Sequence, residues 1–393
     1  MNFEETLSNR VKSIQPSGIR RFFDLASEVE GVISLGVGEP DFSTPWHICE
    51  AAMYSIESGK THYTANQGLF ELRKEICSYY QRRFHIEYDP NDNVIVTVGG
   101  SEGIDIALRA LVDPGDEVIV MNPSYVAYTP GITLSGGVSV PIELRQENDF
   151  KLLPQDLEKA ISEKTKVLLI NFPCNPTGGV MSYEDYAKLV PIIKKHQLIV
   201  ISDEIYAELT YDGTFASLAQ FDEIKDQVIV ISGFSKAFAM TGWRLGYVLA
   251  NPALTAAMNK IHQYIIMSAP TAAQYGAIEG LKNGWPHVEE MVRSYRARRN
   301  FIVSGFNRIG LNCYMPHGAF YVFPDIRSTG LSSEAFCELL VKEEKVACVP
   351  GTAFGDAGEG FIRVSYAYSI DHIKEALNRI EHFLRKFDLN TNK

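Results

Sequence analysis

From Asn93 onward the chain alternates short β-branched runs with longer amphipathic stretches, and few folds accept that rhythm. The runs are Val94–Val98, Glu117–Met121, Val138–Ile142, Lys166–Asn171, Leu198–Ser202, Val228–Ser232 and Gly246–Ala250. Uninterrupted apolar runs of this length predict strands buried on both faces. Between them, Ser101–Val112, Ser124–Leu134, Pro154–Ser162 and Ser182–His196 predict helices, the last opened by a Ser182-x-x-Asp185 capping box. Strand and helix in alternation build βαβ units. The expected fold is therefore α/β, with a large domain whose mostly parallel seven-stranded sheet is flanked by helices.

The rhythm changes after residue 284. Pro286 opens a long helix, with Glu289 and Glu290 expected in its first turn and Gly310 at its end. Val288, Val292, Tyr295, Ile302, Phe306 and Ile309 keep a three- and four-residue spacing and form one apolar stripe. A strand (Ala319–Phe323), a helix (Ser332–Glu343), two further strands (Lys345–Val349 and Phe361–Tyr366) and a final helix (Ile370–Phe387) follow, as in a small α+β domain. The expected division is an N-terminal arm with part of the small domain at 1–45, the large domain at 46–284 and the small C-terminal domain at 285–393.

Composition narrows the function classes. With 393 residues, 46% of them apolar, the chain has ample material for two or three cores at ~100–200 residues each. No apolar run reaches the ~20 residues of a membrane helix, and the first eighteen residues lack the apolar stretch of a secretory signal. A net charge of -11 argues against nucleic acid, whose phosphates need clustered Lys and Arg. Cys49, Cys77, Cys174, Cys313, Cys337 and Cys348 show neither CxxC nor zinc-like spacing, so no metal is expected and free thiols in a reducing cytoplasm are.

Three familiar signatures fail. Gly59-Lys60-Thr61 is no P-loop, because Tyr54 stands where the first glycine belongs. Gly36-Val37-Gly38 lacks the third glycine of a dinucleotide fingerprint, and neither HExxH nor an EF-hand loop occurs. Gly99-Gly100-Ser101-Glu102-Gly103 does match G-x-S-x-G after a strand and before a helix. One reading makes Ser101 a hydrolase nucleophile, with Asp356 or Asp371 and His372 as partners. The other uses the glycine turn's free N–H groups and the positive helix end to hold a phosphate.

The segment from Ser232 to Tyr247, SGFSKAFAMTGWRLGY, decides between them. Lys236 follows a strand within a loop of small and apolar residues, at the sheet edge where open α/β folds bind ligands. A desolvated lysine there has a lowered pKa and forms a Schiff base readily. The segment resembles the pyridoxal-phosphate lysine motif of class I/II aminotransferases, with Arg244 eight residues beyond the lysine. In the same family order stand Ser17-Gly-Ile-Arg20, Ser34-Leu-Gly-Val-Gly-Glu-Pro-Asp41, Tyr63-Thr-Ala-Asn-Gln-Gly68, Asn171-Phe-Pro-Cys-Asn-Pro-Thr-Gly178, Ser202-Asp-Glu-Ile-Tyr206 and Gly360-Phe-Ile-Arg-Val-Ser-Tyr366. The nearest likeness is the bacterial alanine, aromatic and broad-range branch.

The resemblance implies fold type I, a homodimer with shared active sites, and ping-pong transamination through a Lys236 Schiff base. The donor would be a neutral L-amino acid and the acceptor a 2-oxo acid such as 2-oxoglutarate. Asp203 would keep the pyridine nitrogen protonated. Tyr206 and Asn175 would donate to the phenolic oxygen, and Tyr125 would stack on the ring. Gly100, Ser101, Glu102 and Arg244 would hold the phosphate, with Tyr63 arriving from the neighbouring subunit. Ser235 would stand in for a hydroxyl that many relatives carry where this chain has Gly233. Arg363 would fork onto the substrate's α-carboxylate, joined by Asn175 and the backbone near Gly38. Arg20 and Arg21 are the candidates for reading a distal carboxylate. A C–S β-lyase or another non-transaminating relative is the nearest alternative, a Ser101 hydrolase the remote one.

Overall fold

The structure is a computed structural model that describes residues 1, 3–16, 18–19, 22 and 29–387. Twelve strands occur among them: β1 (Ile33–Ser34), β2 (Val94–Thr97), β3 (Glu117–Asn122), β4 (Val138–Glu143), β5 (Thr165–Asn171), β6 (Ile199–Asp203), β7 (Val228–Gly233), β8 (Gly246–Leu249), β9 (Tyr321–Val322), β10 (Val346–Ala347), β11 (Val349–Pro350) and β12 (Ile362–Ser365). Seven form the main sheet in the order β2-β8-β7-β6-β5-β3-β4. Only β8 runs against the rest, pairing antiparallel with both β2 and β7. The seven apolar runs are therefore the seven strands of an α/β fold with a mostly parallel sheet.

Their sequences suit burial on both faces. Along β5, Leu168 and Ile170 enter one core while Val167 and Leu169 enter the other. The period of two that a strand imposes thus feeds two apolar layers at once. Helices cover both. Gly99–Leu111 and Pro252–Ile265 lie on one side, and Phe70–Phe84 and Thr271–Asn283 pack on the other. The Tyr183–Lys195 helix opens with the expected capping box, Ser182 and Asp185 each bonding the other's backbone.

A second core gathers around the long Trp285–Arg308 helix, the Ser333–Glu344 helix and the Ile370–Leu384 helix. They pack on a three-stranded antiparallel sheet, β11-β12-β9, and on the parallel pair β1-β10. This is the small α+β part, and β1 brings the N-terminal region into it. The long helix ends as expected: Gly310 takes a φ of 91° and the Leu311 N–H reaches back to the Phe306 carbonyl. Glu289 and Glu290 fall just past its first turn, because the helix already starts at Trp285.

Three expected elements differ. The stretch Lys345–Val349 is two strands with different partners, β10 pairing with β1 and β11 with β12. Ala319 takes a φ of 57°, which ends extended backbone before Tyr321 and shortens β9. The helix expected from Ser124 begins at Tyr128, because the Ser124 N–H donates instead to the Phe354 carbonyl of the small part.

Candidate active site

The carboxyl ends of β2, β5, β6 and β7 open onto a cavity of about 430 Å³, the place where open α/β sheets carry ligands. Lys236, Asp203, Asn175, Tyr206, Tyr125, Ser235, Gly100, Ser101, Arg244, Gly38 and Arg363 all line it. Eleven side chains and turns singled out in sequence thus meet in one place.

Lys236 follows β7. Its Nζ donates to the Gly38 carbonyl at 2.6 Å and lies over the rings of Tyr206 and Phe320. Burial, and then the neighbouring Arg363 guanidinium, lower its pKa to about 8. Asp203 closes β6. Its carboxylate accepts from the Tyr128 hydroxyl at 2.7 Å and the Ile205 N–H at 3.1 Å. Burial outweighs these bonds and raises it to about 6. Both donors are neutral, so this is a buried carboxylate that a protonated ring nitrogen would match.

Arg363 stands on β12 and is buried. Its Nη1 donates to Asn175 Oδ1 at 3.0 Å and its Nη2 to the Gly36 carbonyl at 2.5 Å, while Nε has no partner. Among the described residues no carboxylate forms an ion pair with it. Its rings are Tyr321 and Phe354, at 4.5 and 4.7 Å. A buried guanidinium that meets only neutral oxygens, with its Nε–H wholly unpartnered, is suited to receive an anion. The same bond turns the Asn175 amide nitrogen away from Arg363, which leaves it free to donate.

The Gly99–Leu111 helix starts without a side-chain cap among its first residues, so its N–H groups are available to an anion. Gly99 has a φ of 73°, and a Cβ there would come within 2.9 Å of Arg244 Nη2. Glycine is what lets Arg244 lie against the helix start. The Glu102 side chain does not line the cavity. Its carboxylate turns back to the Val98 N–H and to His262, so the side chain is not offered to the cavity. Gly233 is dictated by packing: a Cβ would meet Gly246 Cα and the Leu245 carbonyl at 2.9 Å, so no hydroxyl residue fits between β7 and β8.

Tyr63 is 81% exposed and absent from the cavity of its own chain. The backbone around it is nonetheless pinned, with Thr271 Oγ1 donating to the His62 carbonyl and Gln274 bonding Thr64 and Leu69. Ser17, Arg20 and Arg21 lie outside the described residues. Asp356, Asp371 and His372 do not line the cavity that Ser101 lines, and His372 stacks on Tyr368 instead. The hydrolase constellation is not assembled.

Sequence reasoning missed Tyr128 and Tyr321. Tyr128 holds Asp203, and Tyr321 bonds the Tyr206 hydroxyl at 2.9 Å while its ring backs Arg363. All these contacts span more than forty residues of chain, so no local spacing marks them. Thr241 and Glu39 also line the cavity and bond each other at 3.1 Å.

Residues 30–380 match the family described as aminotransferase class I and II. YugH of Bacillus subtilis strain 168, provisionally named an aminotransferase and with no substrate in its name, is 55% identical over 97% of this chain and 98% of its own. An aspartate aminotransferase of Pyrococcus abyssi is 43% identical over 97% and 98%. The solved aromatic aminotransferase of Pyrococcus horikoshii superposes with a TM-score of 0.90 at 42% identity, over 94% of this chain and all of that one.

Proposed function

The chain belongs to the class I and II aminotransferases and is a pyridoxal-phosphate-dependent transaminase; from that premise we propose that it moves the amino group of a neutral L-amino acid, alanine or an aromatic, to a 2-oxo acid such as 2-oxoglutarate. The observation that carries the site assignment is the meeting of a desolvated amine, a buried carboxylate and an unpaired guanidinium in one cavity. The neutral donor is supported by the lining. Its described cations are Lys236, Arg244 and Arg363, each with a task already, and Glu39 adds a carboxylate.

Pyridoxal phosphate, when bound, supplies a carbonyl carbon that takes up amines and a ring that withdraws electrons. The chain's residues do the rest. Gly100, Ser101, the Glu102 backbone and Arg244 would hold the phosphate. Asp203, kept in place by Tyr128, would hold a proton on the ring nitrogen. Tyr206 and the Asn175 amide would donate to the phenolic oxygen, and Tyr125 would cover one ring face. Ser235, buried at the cavity wall, is a further hydroxyl toward the phosphate. Arg363 would orient the substrate by its α-carboxylate, with Gly38 leaving the backbone open beside it. Lys236 would be positioned to take the proton from the substrate's Cα and return it, and its apolar walls would keep water from competing.

A panel of amino donors with pyruvate and 2-oxoglutarate tests the substrate reading. Alanine or an aromatic donor should give the highest kcat/KM. A strong preference for aspartate over every neutral donor, as the Pyrococcus abyssi relative's name would suggest, contradicts it. Release of ammonia and pyruvate from cysteine conjugates without any amino transfer would favour the lyase.

Ser101→Ala should weaken cofactor binding by about 0.5–3 kcal/mol, the worth of one hydrogen bond to a charged group. Labelling of Ser101 by a fluorophosphonate would speak for the hydrolase instead.

We read residues 46–284 as the large cofactor-binding domain, 285–393 as the small domain and 1–45 as an arm that shares in it. We also read the protein as a cytoplasmic homodimer with shared active sites. The pinned but exposed Tyr63 supports sharing, since an aromatic held outward on a fixed backbone suits a neighbour's site better than its own. None of the described helices is long and apolar enough to cross a membrane, and all six cysteines are free thiols. Mixed dimers decide the sharing. A Lys236→Ala subunit combined with a Tyr63→Ala subunit should regain one working site at limiting cofactor. If mixing restores nothing, Tyr63 acts within its own chain.

A further inference from the structure

One buried ion-pairing cluster lies next to the cavity and takes no part in the steps above. His262, on the last turn of the Pro252–Ile265 helix, is fully buried. Its Nδ1 lies 2.6 Å from Glu102 Oε1 and its Nε2 lies 2.8 Å from the Asn66 carbonyl. A carbonyl oxygen only accepts, so Nε2 carries a proton. Nδ1 faces a carboxyl oxygen at hydrogen-bond distance, so a second proton lies between the two groups. The pair is neutral overall, whichever partner holds that proton. The other carboxyl oxygen accepts from the Val98 N–H at 2.5 Å, and Asn66 Nδ2 donates to the Met267 carbonyl at 2.8 Å.

These bonds run between the two parts of the structure that the function above sends to the phosphate. Glu102 is the fourth residue of the Gly99–Leu111 helix, whose start is the phosphate seat. Asn66 belongs to the Tyr63–Gly68 segment. A carboxylate one residue after Ser101 would repel a phosphate dianion if it could swing into the seat. Two partners, His262 and the Val98 N–H, hold it on the far side.

We propose that Glu102 and His262 are positioning residues for the cofactor's phosphate: the hydrogen-bonded pair keeps the Glu102 carboxylate out of the seat and ties the start of that helix to the segment that carries Tyr63. This rests on the reading of the Gly99–Leu111 helix start as the phosphate seat.

Equilibrium dialysis of the full chain with pyridoxal phosphate, and separately with pyridoxal, which has no phosphate, tests the pair without relying on turnover. Glu102→Ala and His262→Ala should each lower affinity for pyridoxal phosphate about tenfold, with pyridoxal affinity kept within about twofold. Glu102→Gln, whose amide can accept from Val98 and donate to a neutral imidazole, should restore most of the loss. Glu102→Ala leaves the His262 ring in its packing, so the test does not hinge on a variant that empties a buried site. Equal losses for both ligands, or no loss in either alanine variant, overturn the proposal. Ser101→Ala and Arg244→Lys report on the seat itself. If they shift the ratio of the two affinities and Glu102→Ala does not, only the positioning role falls. If they leave it unmoved, the phosphate lies elsewhere.

Discussion

Lys236→Ala should reduce kcat by about 10⁴-fold or more, since both the covalent attachment of cofactor and the proton transfer at the substrate's Cα are removed together. Bound cofactor, measured after gel filtration, should fall less steeply, because the helix start, Arg244 and Asp203 do not depend on the amine. Near wild-type turnover would rule Lys236 out as the reacting group. The wild-type chain adds a check by pH. Burial sets Lys236 at about 8 in the cofactor-free site, so its amine is mostly charged below that pH and mostly neutral above it. Only the neutral amine attacks a carbonyl. The rate at which the cofactor-free chain captures pyridoxal should therefore climb as pH rises through about 8 and level off beyond. A rate that is flat from pH 6 to 9 contradicts the assignment.

Arg363→Lys should raise KM for every amino donor by about 10–100-fold while leaving the cofactor's absorbance in place. The guanidinium offers a planar fork and an unpartnered Nε, whereas lysine offers a point charge with a different reach. Lysine would also lose one of the two bonds that now fix the group, to Asn175 and to the Gly36 carbonyl. A KM unchanged across donors, with lowered thermal stability, would make Arg363 a structural residue.

The sheet was legible because its strands are buried on both faces. Val167–Ile170 reads as one apolar run whichever face each residue takes, and its alternation with longer amphipathic stretches marks it as a strand. The short strands of the small part were harder. β10 and β11 are two residues each and are separated by Cys348 alone, so their different partners leave no trace in local pattern. Of the site, what shows most plainly in sequence is what sits at a strand's end or just beyond it: Asp203 closing β6, Lys236 after β7, the glycines after β2. Tyr128 and Tyr321 were not legible. Each looks like a core aromatic until the fold sets Asp203 or Tyr206 against its hydroxyl. Glu102 was legible as part of the helix start, but its side chain's partner was not, because His262 lies 160 residues away.

Lys236 and Asp203 hang from the main sheet, whereas Arg363 hangs from β12, in a sheet with a core of its own. On the reading proposed above, a donor seated by its α-carboxylate and held at its Cα would be gripped from both sheets at once, and would act as a removable crosslink between them. The Arg363–Asn175 bond spans the same gap when no substrate is there. A bound carboxylate would add a charged tether beside that neutral one. The mechanical stiffness of the molecule should then rise and fall with each half-reaction, being greatest when an amino or oxo acid is aboard and least in the interval between product departure and the next arrival.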